Sequence, residues 1–367
     1  MKGTRHNYLK YLNPLELLQT KKVLQSNPNV LKVDKPQGES IISMYIYTST
    51  DCHSKVGLKS EEIVISEFLP EKNYWVNLDI LNKVNVETVG NSIGLHPLII
   101  EDILSVHQRP KVDEFDNCFT TVLHMLYYND TNHSIESEQV SFVLGSNFLF
   151  SFQDDSHRDL FDPVREKLMN PVSKVRHQRS DYLLYTLLDD IVDNYFVVLE
   201  KVGEQIERLE EEITRNTYDS YTMNRINTLR KEIIFFKRHT SPVRELISRI
   251  IRSENQYLNK KNQNYYKDIY DHIIQVIELT ENYRDVISNI RDLYLSQTNL
   301  KLNEIMKFLA IVTTLLAPAT VIGGIFGMNF DTGMPYLHHQ YGFWIATSIM
   351  IIVPILMLFY FRRKGWF

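Results

Sequence analysis

The sequence has few cysteines and lacks the motifs of ATPases and zinc proteases. Cys52 and Cys118 are its only cysteines, too few for a disulfide framework or a cysteine zinc site and typical of a reducing compartment. Neither a Gly-x-x-x-x-Gly-Lys-Ser/Thr loop nor a His-Glu-x-x-His pattern occurs, so nothing supports ATP hydrolysis or metal-dependent proteolysis. Met1 to Lys22 contain no apolar run of signal-peptide length, and we therefore expect the N-terminal region to stay in the cytoplasm.

Basic charge is not in excess, and charge of either sign is almost absent from residues 308–361. The formal net charge is −5, so the basic surface of a nucleic-acid-binding protein is missing. Between Phe308 and Phe361 the only formally charged side chain is Asp331. The mean hydropathy of −0.24 therefore averages a polar majority with an apolar C-terminal part.

Two apolar runs, Phe308 to Phe326 and Gly342 to Phe361, make up that C-terminal part. At about 1.5 Å per residue, each is long enough to cross a hydrocarbon core about 30 Å thick. The alternative is a buried hairpin of a soluble protein, but soluble helices of this length keep a polar face. Arg362, Arg363 and Lys364 follow the second run, whereas the loop between the runs has no Lys or Arg. The positive-inside rule then predicts a multi-pass protein of the cell membrane with both termini in the cytoplasm.

Glycine is missing from the stretch between Gly203 and Gly323, where Pro242 and Pro318 are the only prolines. So long a stretch without breakers predicts long helices. The predicted elements are a helix from Ser180 to Asn216, a turn over residues 217–220, a second helix that restarts at an N-cap over Thr240 to Pro242, a polar interruption over residues 262–264, and a helix from Tyr265 to Phe326. The last helix would continue into the bilayer, since a membrane helix tolerates a proline.

Before Ser180 the pattern is that of strands. Five segments are rich in β-branched and aromatic residues, which favours strands. They are Ile41–Tyr47, Ile63–Phe68, Tyr74–Ile80, Phe119–Tyr127 and Val140–Phe152. Short helices are expected at Asn82–Ile93 and Pro97–Val106. Strands in one block with helices around them predict an α+β domain with a largely antiparallel sheet.

Several blocks, in order along the chain, resemble a known family. They are Leu95 to Leu98, Glu101 to Leu104, Val106 to Val112, Val140 to Gly145, Tyr270-Asp271-His272, Asn303 to Lys307, and Gly324 to Phe330. Together, and in this topology, they are similar to the CorA-type magnesium transporters over most of the chain. The resemblance implies a homopentameric funnel in the lipid bilayer. Each subunit would have an α/β cytoplasmic domain, a stalk helix and two transmembrane helices.

The resemblance also implies a division of the chain. The cytoplasmic α/β domain with its helical extension takes residues 1–264, and the cytoplasmic part of the stalk helix takes residues 265–307. Residues 308–329 form the first transmembrane helix, 330–341 the outer loop, 342–361 the second transmembrane helix and 362–367 a basic cytoplasmic tail. The first transmembrane helices of five subunits would surround the pore.

The family's signature tripeptide maps onto Gly327, Met328 and Asn329, at the outer mouth of the implied pore. Mg²⁺ gives up its water reluctantly, and a ring of Asn329 amide oxygens can accept hydrogen bonds from that water shell. Two plainer interpretations remain. Asn329 can be a helix C-cap, and the small pair Gly323 and Gly327 can serve close helix packing.

One face of the first transmembrane helix combines polar and apolar positions that suit a pore. They are Asn303, Met306, Leu309, Thr313, Ala317, Thr320 and Gly324. In the family this region holds a hydrophobic gate, so Met306 and Leu309 are expected to close the pore by dewetting. Asn303 matches a polar ring just inside that gate. Lipid or helix contact is the plainer interpretation of the two apolar residues.

Two positions depart from the family pattern. Ala317 is small where a bulkier apolar side chain is common, so we expect no second hydrophobic constriction there. Tyr336 stands where the family commonly has Glu, which leaves Asp331 as the only carboxylate of the outer loop.

Family members sense cytoplasmic Mg²⁺ between neighbouring cytoplasmic domains. The matching carboxylates here are Asp102 and Asp268, with Glu101 beside them. Acidic groups of two chains repel each other until a divalent ion bridges them, so bound Mg²⁺ would hold the pentamer closed. Ordinary surface carboxylates are the plainer interpretation. Residues 362–364 would add a basic ring near the inner exit of the pore.

The sequence thus predicts a channel that moves hydrated Mg²⁺ into the cytoplasm, with Co²⁺ and Ni²⁺ as minor substrates. Relatives that move Zn²⁺ resemble this architecture but usually carry Ile in place of Met328, which favours Mg²⁺ here. A membrane-tethered sensor without conduction is the alternative from another class of protein. It explains neither the signature tripeptide nor the polar face of the first transmembrane helix. No constellation of residues supports an enzyme.

Overall fold

A computed structural model describes residues 40–105, 108–154, 159–215, 217–219, 221–328 and 340–366. Val106, Asn216, Asn329, Asp331 and Tyr336, which the sequence analysis singled out, lie outside these ranges. The chain divides into two compact units. One comprises Met1–Arg208 and Asn227–Ile287, and the other comprises Leu209–Ile226 and Ser288–Phe367.

A sheet of seven strands forms the centre of the first unit. In chain order the strands are β1 (Ile41–Tyr47), β2 (Cys52–Val56), β3 (Asn73–Asp79), β4 (Lys111–Glu114), β5 (Phe119–Asn129), β6 (Ser134–Leu144) and β7 (Phe148–Phe152). Their order across the sheet is β2-β1-β3-β7-β6-β5-β4. Among the described strand pairs, β3 and β7 are parallel and the others are antiparallel. The predicted α+β domain with a largely antiparallel sheet is confirmed.

The predicted strand Val140–Phe152 is wrong in one respect, because it is two strands. The backbone N–H of Gly145 donates to the carbonyl of Phe148 at 2.9 Å, which closes a tight turn between β6 and β7. A Cβ on Gly145 would lie 2.2 Å from the Phe148 ring. Only glycine fits at this turn. The apolar run Val140–Phe152 therefore contains a hairpin that its composition does not reveal.

The predicted strand Ile63–Phe68 is wrong. Two short 3₁₀ turns occupy this part of the chain, Ser60–Glu62 and Ile65–Glu67. The Glu62 carboxylate accepts a hydrogen bond from the backbone N–H of Lys59 at 3.1 Å, which stabilises the first turn. Strands β2 and β4 were not predicted, because they are edge strands whose side chains are mostly polar, and those of β2 are mostly exposed.

Two short helices, α1 (Lys83–Ile93) and α2 (Pro97–Leu104), lie close to their predicted bounds. The Asn82 side chain accepts a hydrogen bond from the first turn of α1. Nδ1 of His96 does the same for α2, where proline occupies the first helical position. The His96 cap and the proline fix the start of α2, whose last turn carries two of the predicted regulatory carboxylates.

Helices make up most of the remaining described chain. They are α3 (Asp162–Met169), α4 (Ser180–Thr214), α5 (Thr222–Arg252), α6 (Gln263–Phe326) and α7 (Gly342–Arg363). The predicted helix from Ser180 is confirmed. The helix predicted to end at Phe326 is confirmed as well, and it passes through Pro318 without a break.

The predicted restart of a helix at Thr240–Pro242 is wrong, because α5 runs through Pro242. Thr240 is buried, and its hydroxyl donates to the carbonyl of Phe236 at 3.0 Å. Apolar side chains on both sides of the proline are buried as well; they are Ile233, Phe236, Val243, Ile247 and Ile250. Packing of this stripe outweighs the local N-cap signal, because tertiary contacts supply most of the stability of a helix in a protein.

The apolar parts of α6 and α7 are exposed. Each helix contains an 18-residue window apolar enough to cross a membrane, of which 6% is buried in α6 and 0% in α7. Leu309 and Phe359 expose 61% and 68% of their surface. The alternative of a buried hairpin in a soluble protein is therefore wrong, since its apolar side chains would be covered.

Candidate functional site

Helix α6 ends where the predicted mouth begins. Its last helical residue is Phe326, and the backbone N–H of Gly327 donates to the carbonyl of Gly323 at 2.9 Å. A Cβ on Gly327 would lie 2.9 Å from that carbonyl oxygen, closer than the backbone tolerates. Met328 follows with an exposed side chain, and Asn329 lies outside the described residues. Glycine is therefore required here for a close backbone approach.

The predicted pore face of α6 is exposed in the single subunit. It comprises Asn303, Met306, Leu309, Thr313, Ala317, Thr320 and Gly324. A less exposed stripe comprises Ile311, Leu315, Pro318 and Ile322. At about 100° per residue, the two sets point to opposite sides of the helix. The predicted pore face is thus uncovered, while the chain partly covers the other side itself.

Thr313 and Thr320 present lone pairs along this face. The hydroxyl of Thr313 donates to the carbonyl of Leu309 at 2.9 Å, and that of Thr320 donates to the carbonyl of Leu316 at 3.1 Å. A hydroxyl whose proton is committed to the helix backbone can only accept further hydrogen bonds. A hydrated cation offers water protons to its surroundings, so these two acceptors suit an ion that keeps its water.

The basic residues at the end of α7 are exposed. Residues 362–364 all face solvent. The chain then turns at Gly365, whose φ is +71°. Trp366 stacks on Phe361 with ring centroids 5.1 Å apart. This stacking holds the tail against the helix, so the three cations stay together at the end of α7.

Asp102 lies in the last turn of α2 and is anchored to the sheet. The side-chain amide of Gln139 on β6 donates to the backbone carbonyl of Asp102 at 2.9 Å. The amide oxygen of Gln139 accepts the backbone N–H of Gln108 at 3.2 Å. The Asp102 carboxylate pairs with Lys111 at 2.6 Å, whereas the neighbouring Glu101 is exposed. The predicted regulatory carboxylate is thus held in place and paired within its own chain.

Asp268 lies near the start of α6, and its side chain is exposed. No hydrogen bond or ion pair joins it to Asp102 in the part of the chain that the structure describes. Asp268 lies near Tyr185 of α4. Burial is the main reason that the pKa of Tyr185 is raised, and the negative charge of nearby carboxylates, including Asp268, raises it further. The structure thus shows no direct contact between the two predicted regulatory carboxylates within the described chain.

A cluster of two carboxylates and an imidazole was not predicted. Asp189 and Asp193 lie one turn apart on α4, and His272 lies on α6 one turn after Asp268. Their ligand atoms lie within 4.8 Å of one another. Oδ1 of Asp189 is buried and has no hydrogen-bond partner among the described residues, and the buried Nδ1 of His272 lies 3.5 Å from Oδ1 of Asp193. The donor set fits a divalent cation, held by the carboxylates directly or through its water.

The pKa of Asp189 is raised from its ordinary value of 3.8 to about 6. Burial is the main cause, because it disfavours the charged carboxylate, and repulsion from Asp193 adds to it. The hydroxyl of Tyr185, which donates to Asp189 at 3.3 Å, opposes the shift. A nearby divalent cation would favour the ionised form of Asp189. A bound ion would therefore stabilise the cluster most above about pH 6.

Asp189→Asn is expected to raise the melting temperature of the metal-free protein at neutral pH. The pKa of Asp189 is higher in the folded protein than in the unfolded chain. The free energy of unfolding therefore falls as the pH rises from 3.8 to about 6, and it stays low above that range. Asparagine carries no charge at any pH. We expect a rise of about 2–4 °C in EDTA at about pH 7.5, and a smaller rise at about pH 5.

Asp271→Asn is the matched control for this prediction, since Asp271 is an exposed carboxylate next to His272. It is expected to leave the melting temperature unchanged. Adding Mg²⁺ should stabilise the unmodified chain more than Asp189→Asn. A variant that melts like the unmodified chain in EDTA at neutral pH would contradict the burial of a charged carboxylate at this position.

One hydrolase-like spacing does occur, at Gly90 to Gly94. Ser92 lies inside α1, and its hydroxyl donates to the carbonyl of Val89 at 2.8 Å. The serine of a nucleophile elbow instead stands on a sharp turn from a strand into a helix. Gly94 has a φ of +69° and ends α1. This Gly-x-Ser-x-Gly spacing is therefore a helix with its C-cap and not a catalytic site.

The comparisons with known proteins agree on one family. The sequence pattern described as "CorA-like Mg2+ transporter protein" matches residues 70–363. The cobalt/magnesium transport protein CorA of Thermotoga maritima is 40% identical over 293 residues, which cover 80% of this chain and 83% of that protein. The magnesium transport protein CorA of Helicobacter pylori is 27% identical over 258 residues, which cover 68% and 78%.

A solved structure shares the fold. The complete structure of the CorA magnesium transporter from Methanocaldococcus jannaschii matches with a TM-score of 0.75 at 23% identity. The match covers 89% of this chain and 98% of that one. The predicted α/β domain followed by a long helix and two apolar C-terminal helices is thereby confirmed.

Proposed function

Because the chain belongs to the CorA-like Mg²⁺ transporter family, we propose that it is a channel for hydrated Mg²⁺. The ion enters the cytoplasm down its electrochemical gradient, and Co²⁺ and Ni²⁺ are minor substrates. The family membership confirms the prediction of a membrane transporter and not an enzyme, with α6 and α7 as its transmembrane helices. The observation that carries the proposal is the exposed polar face of α6, which ends at Gly327 and Met328.

Five subunits surround the pore in this proposal, and the exposed face of α6 turns inward. Packing between helices in a membrane depends on close contact and on polar groups, and the uncovered face offers two threonine oxygens that can accept further hydrogen bonds. Helix α7 lies outside the ring of α6 helices. Both termini are cytoplasmic, because the cationic residues 362–364 follow α7.

The outer mouth selects the hydrated ion. A ring of Asn329 amide oxygens accepts hydrogen bonds from the water shell, and Gly327 lets the backbone bend to form that ring. No carboxylate is required, since a ring of full negative charges would hold the ion too tightly to release it. The acceptor oxygens of Thr320 and Thr313 continue the same contacts inward, past the small Ala317 and Gly324.

The inner end of the pore is the gate. Met306 and Leu309 expose 59% and 61% of their surface in the single subunit, which is the state expected of side chains that other copies cover. Five copies of each narrow the pore with apolar atoms, and water leaves such a constriction readily. Asn303 follows as a polar ring, and the basic residues 362–364 lie near the exit.

Cytoplasmic Mg²⁺ closes the channel from sites between subunits. Asp102 of one subunit and Asp268 of the next are the proposed ligands, with Glu101 beside them. Bringing these carboxylates together is unfavourable without a cation, so a bound ion stabilises the closed arrangement. Loss of the ion releases the stalks and opens the gate.

The cluster of Asp189, Asp193 and His272 is the second proposed ion site. It adjoins Asp268 on α6, so one ion-binding region spans α4 and α6 of a single subunit and reaches the surface where a neighbour would bind. Carboxylate oxygens suit Mg²⁺, and the imidazole suits a water-mediated contact with Mg²⁺ or a direct contact with Co²⁺ or Ni²⁺.

Uptake of isotopically labelled Mg²⁺ into vesicles tests the proposal. The full chain is reconstituted in liposomes, and an inside-negative potential is imposed. We expect faster uptake than in protein-free vesicles when the lumen contains EDTA, and slower uptake when the lumen contains millimolar Mg²⁺. External Co²⁺ and Ni²⁺ should compete with the label.

Two outcomes would replace the proposal. Faster movement of Zn²⁺ than of Mg²⁺ would favour a zinc transporter of the same architecture. No uptake of any of these ions, even with EDTA in the lumen, would favour a membrane-tethered sensor without conduction.

A further inference from the structure

Lys111 lies between two carboxylates, at a position where a metal ion would bind. Its Nζ is 2.6 Å from Oδ2 of Asp102 and 3.0 Å from Oδ2 of Asp113. Lys111 and Asp113 lie two residues apart on the edge strand β4, so their side chains share one face of the sheet. Asp102 reaches the same point from the last turn of α2. One ammonium therefore already neutralises the carboxylate that the proposed regulatory ion would use.

This pair differs from the ordinary ion pairs on the surface. The side chains of Asp102 and Lys111 are 18% and 33% exposed, whereas those of Lys83 and Glu87 on α1 are 64% and 46% exposed. Partly buried charges are screened less by solvent and salt. The backbone of Asp102 is also fixed by Gln139, so the carboxylate can leave the ammonium only by rotation of its own side chain.

We propose that Lys111 is a tethered competitor of the regulatory ion at Asp102. The inference rests on the proposed function, in which Mg²⁺ at Asp102 closes the channel. An incoming divalent ion and the ammonium compete for the same carboxylate and repel each other, so the ion binds most tightly once Lys111 has moved away. The flexible four-carbon stem of lysine lets the ammonium move into solvent when this happens.

The competition has two consequences for regulation. Breaking the Lys111 pair costs free energy and so weakens ion binding, which means that a higher cytoplasmic Mg²⁺ concentration is needed to close the channel. When the ion leaves, Lys111 returns to Asp102 and neutralises it. The open state therefore does not leave a bare carboxylate at this position, and Lys111 sets the balance between the two states.

Lys111→Met tests the proposal, because methionine keeps an unbranched stem and removes the charge. We expect the internal Mg²⁺ concentration for half-maximal inhibition of uptake to fall about three- to tenfold, as expected for loss of one competing ion pair. The Mg²⁺ concentration for half-maximal thermal stabilisation of the purified protein in detergent should fall by the same factor. Lys111→Gln provides a second neutral variant in case the first one folds poorly.

Two control variants separate competition from structural support. Lys111→Arg keeps the positive charge and should keep the unmodified inhibitory concentration. Lys83→Met removes a lysine that pairs with Glu87 at 3.7 Å on α1, and it should have no effect. In an Asp102→Asn background, Lys111→Met should cause no further shift, since the shared ligand is gone.

The outcomes distinguish this inference from the function on which it rests. If internal Mg²⁺ inhibits the unmodified chain but the neutral variants need as much Mg²⁺ or more, Lys111 is not a competitor. If Lys111→Arg lowers the inhibitory Mg²⁺ concentration as much as Lys111→Met does, the positive charge at position 111 does not compete with the ion. If the unmodified chain conducts and internal Mg²⁺ does not inhibit it, the proposed regulation fails first, and the role of Lys111 fails with it.

Discussion

Gly327→Ala is expected to remove most of the Mg²⁺ uptake while the protein stays folded. The new Cβ would lie 2.9 Å from the carbonyl oxygen of Gly323, so the backbone after α6 must move. In the proposed pentamer that movement is repeated in every subunit and displaces Met328 and Asn329 together. We expect uptake of labelled Mg²⁺ to fall about tenfold or more, since about 1.4 kcal/mol added to the permeation barrier is enough.

Gly323→Ala is the matched control, because it adds the same methyl group one turn earlier. Its Cβ would lie 3.6 Å from the terminal carbon of Met350, an ordinary contact with a flexible side chain. We expect nearly normal uptake. If both variants lose uptake and also fail to assemble, the two glycines serve close helix packing instead.

Asn329→Ala, which causes no such backbone clash, should lose uptake if the amide itself contacts the hydrated ion.

The membrane helices could be predicted from the sequence because composition alone decides them. An uncharged run from Gly342 to Phe361 has no stable place in water, and the structure leaves its side chains exposed. The strand Ile41–Tyr47 was predicted to the residue for a similar reason, since most of its side chains are buried. Where the burial of apolar side chains decides the structure, local composition and the final fold agree.

The errors in the fold arise where a contact distant in sequence outweighs a local signal. Pro242 follows two good N-cap residues, yet buried side chains before and after it keep α5 continuous. The hairpin at Gly145 depends on a ring at Phe148 that occupies the place of a side chain. Neither effect is visible in the pattern of apolar residues.

In the candidate regulatory sites, too, the contacts that the sequence analysis missed depend on how separate elements pack together. Asp189 and Asp193 are spaced one turn apart on α4, and this spacing was the signal available in the sequence, although Asp190 and Asn194 beside them are polar as well. Their proximity to His272 depends on how α4 packs against α6, which no local pattern reveals. The pairing of Asp102 with Lys111 was missed because it depends on β4, a polar edge strand that was not predicted.

Leu309→Ser is expected to leave the channel conducting when cytoplasmic Mg²⁺ is high. In the proposed closed state, five Leu309 side chains form an apolar ring from which water withdraws, and the ion cannot pass without its water. Serine is smaller and carries a hydroxyl, so the ring stays wet. We expect uptake of labelled Mg²⁺ against an inhibitory internal Mg²⁺ concentration to rise about tenfold or more, because the dewetted barrier is lost.

Phe308→Ser is the matched control for the gate, since it removes an apolar side chain at the same depth. Phe308 and Leu309 are similarly exposed, at 65% and 61%, but they point about 100° apart around the helix. Phe308 lies off the predicted pore face, so its variant should still close at high internal Mg²⁺. Both variants should conduct when the lumen contains EDTA. If Leu309→Ser closes as completely as Phe308→Ser, Leu309 contacts lipid or a neighbouring helix, and the gate must be formed by other residues.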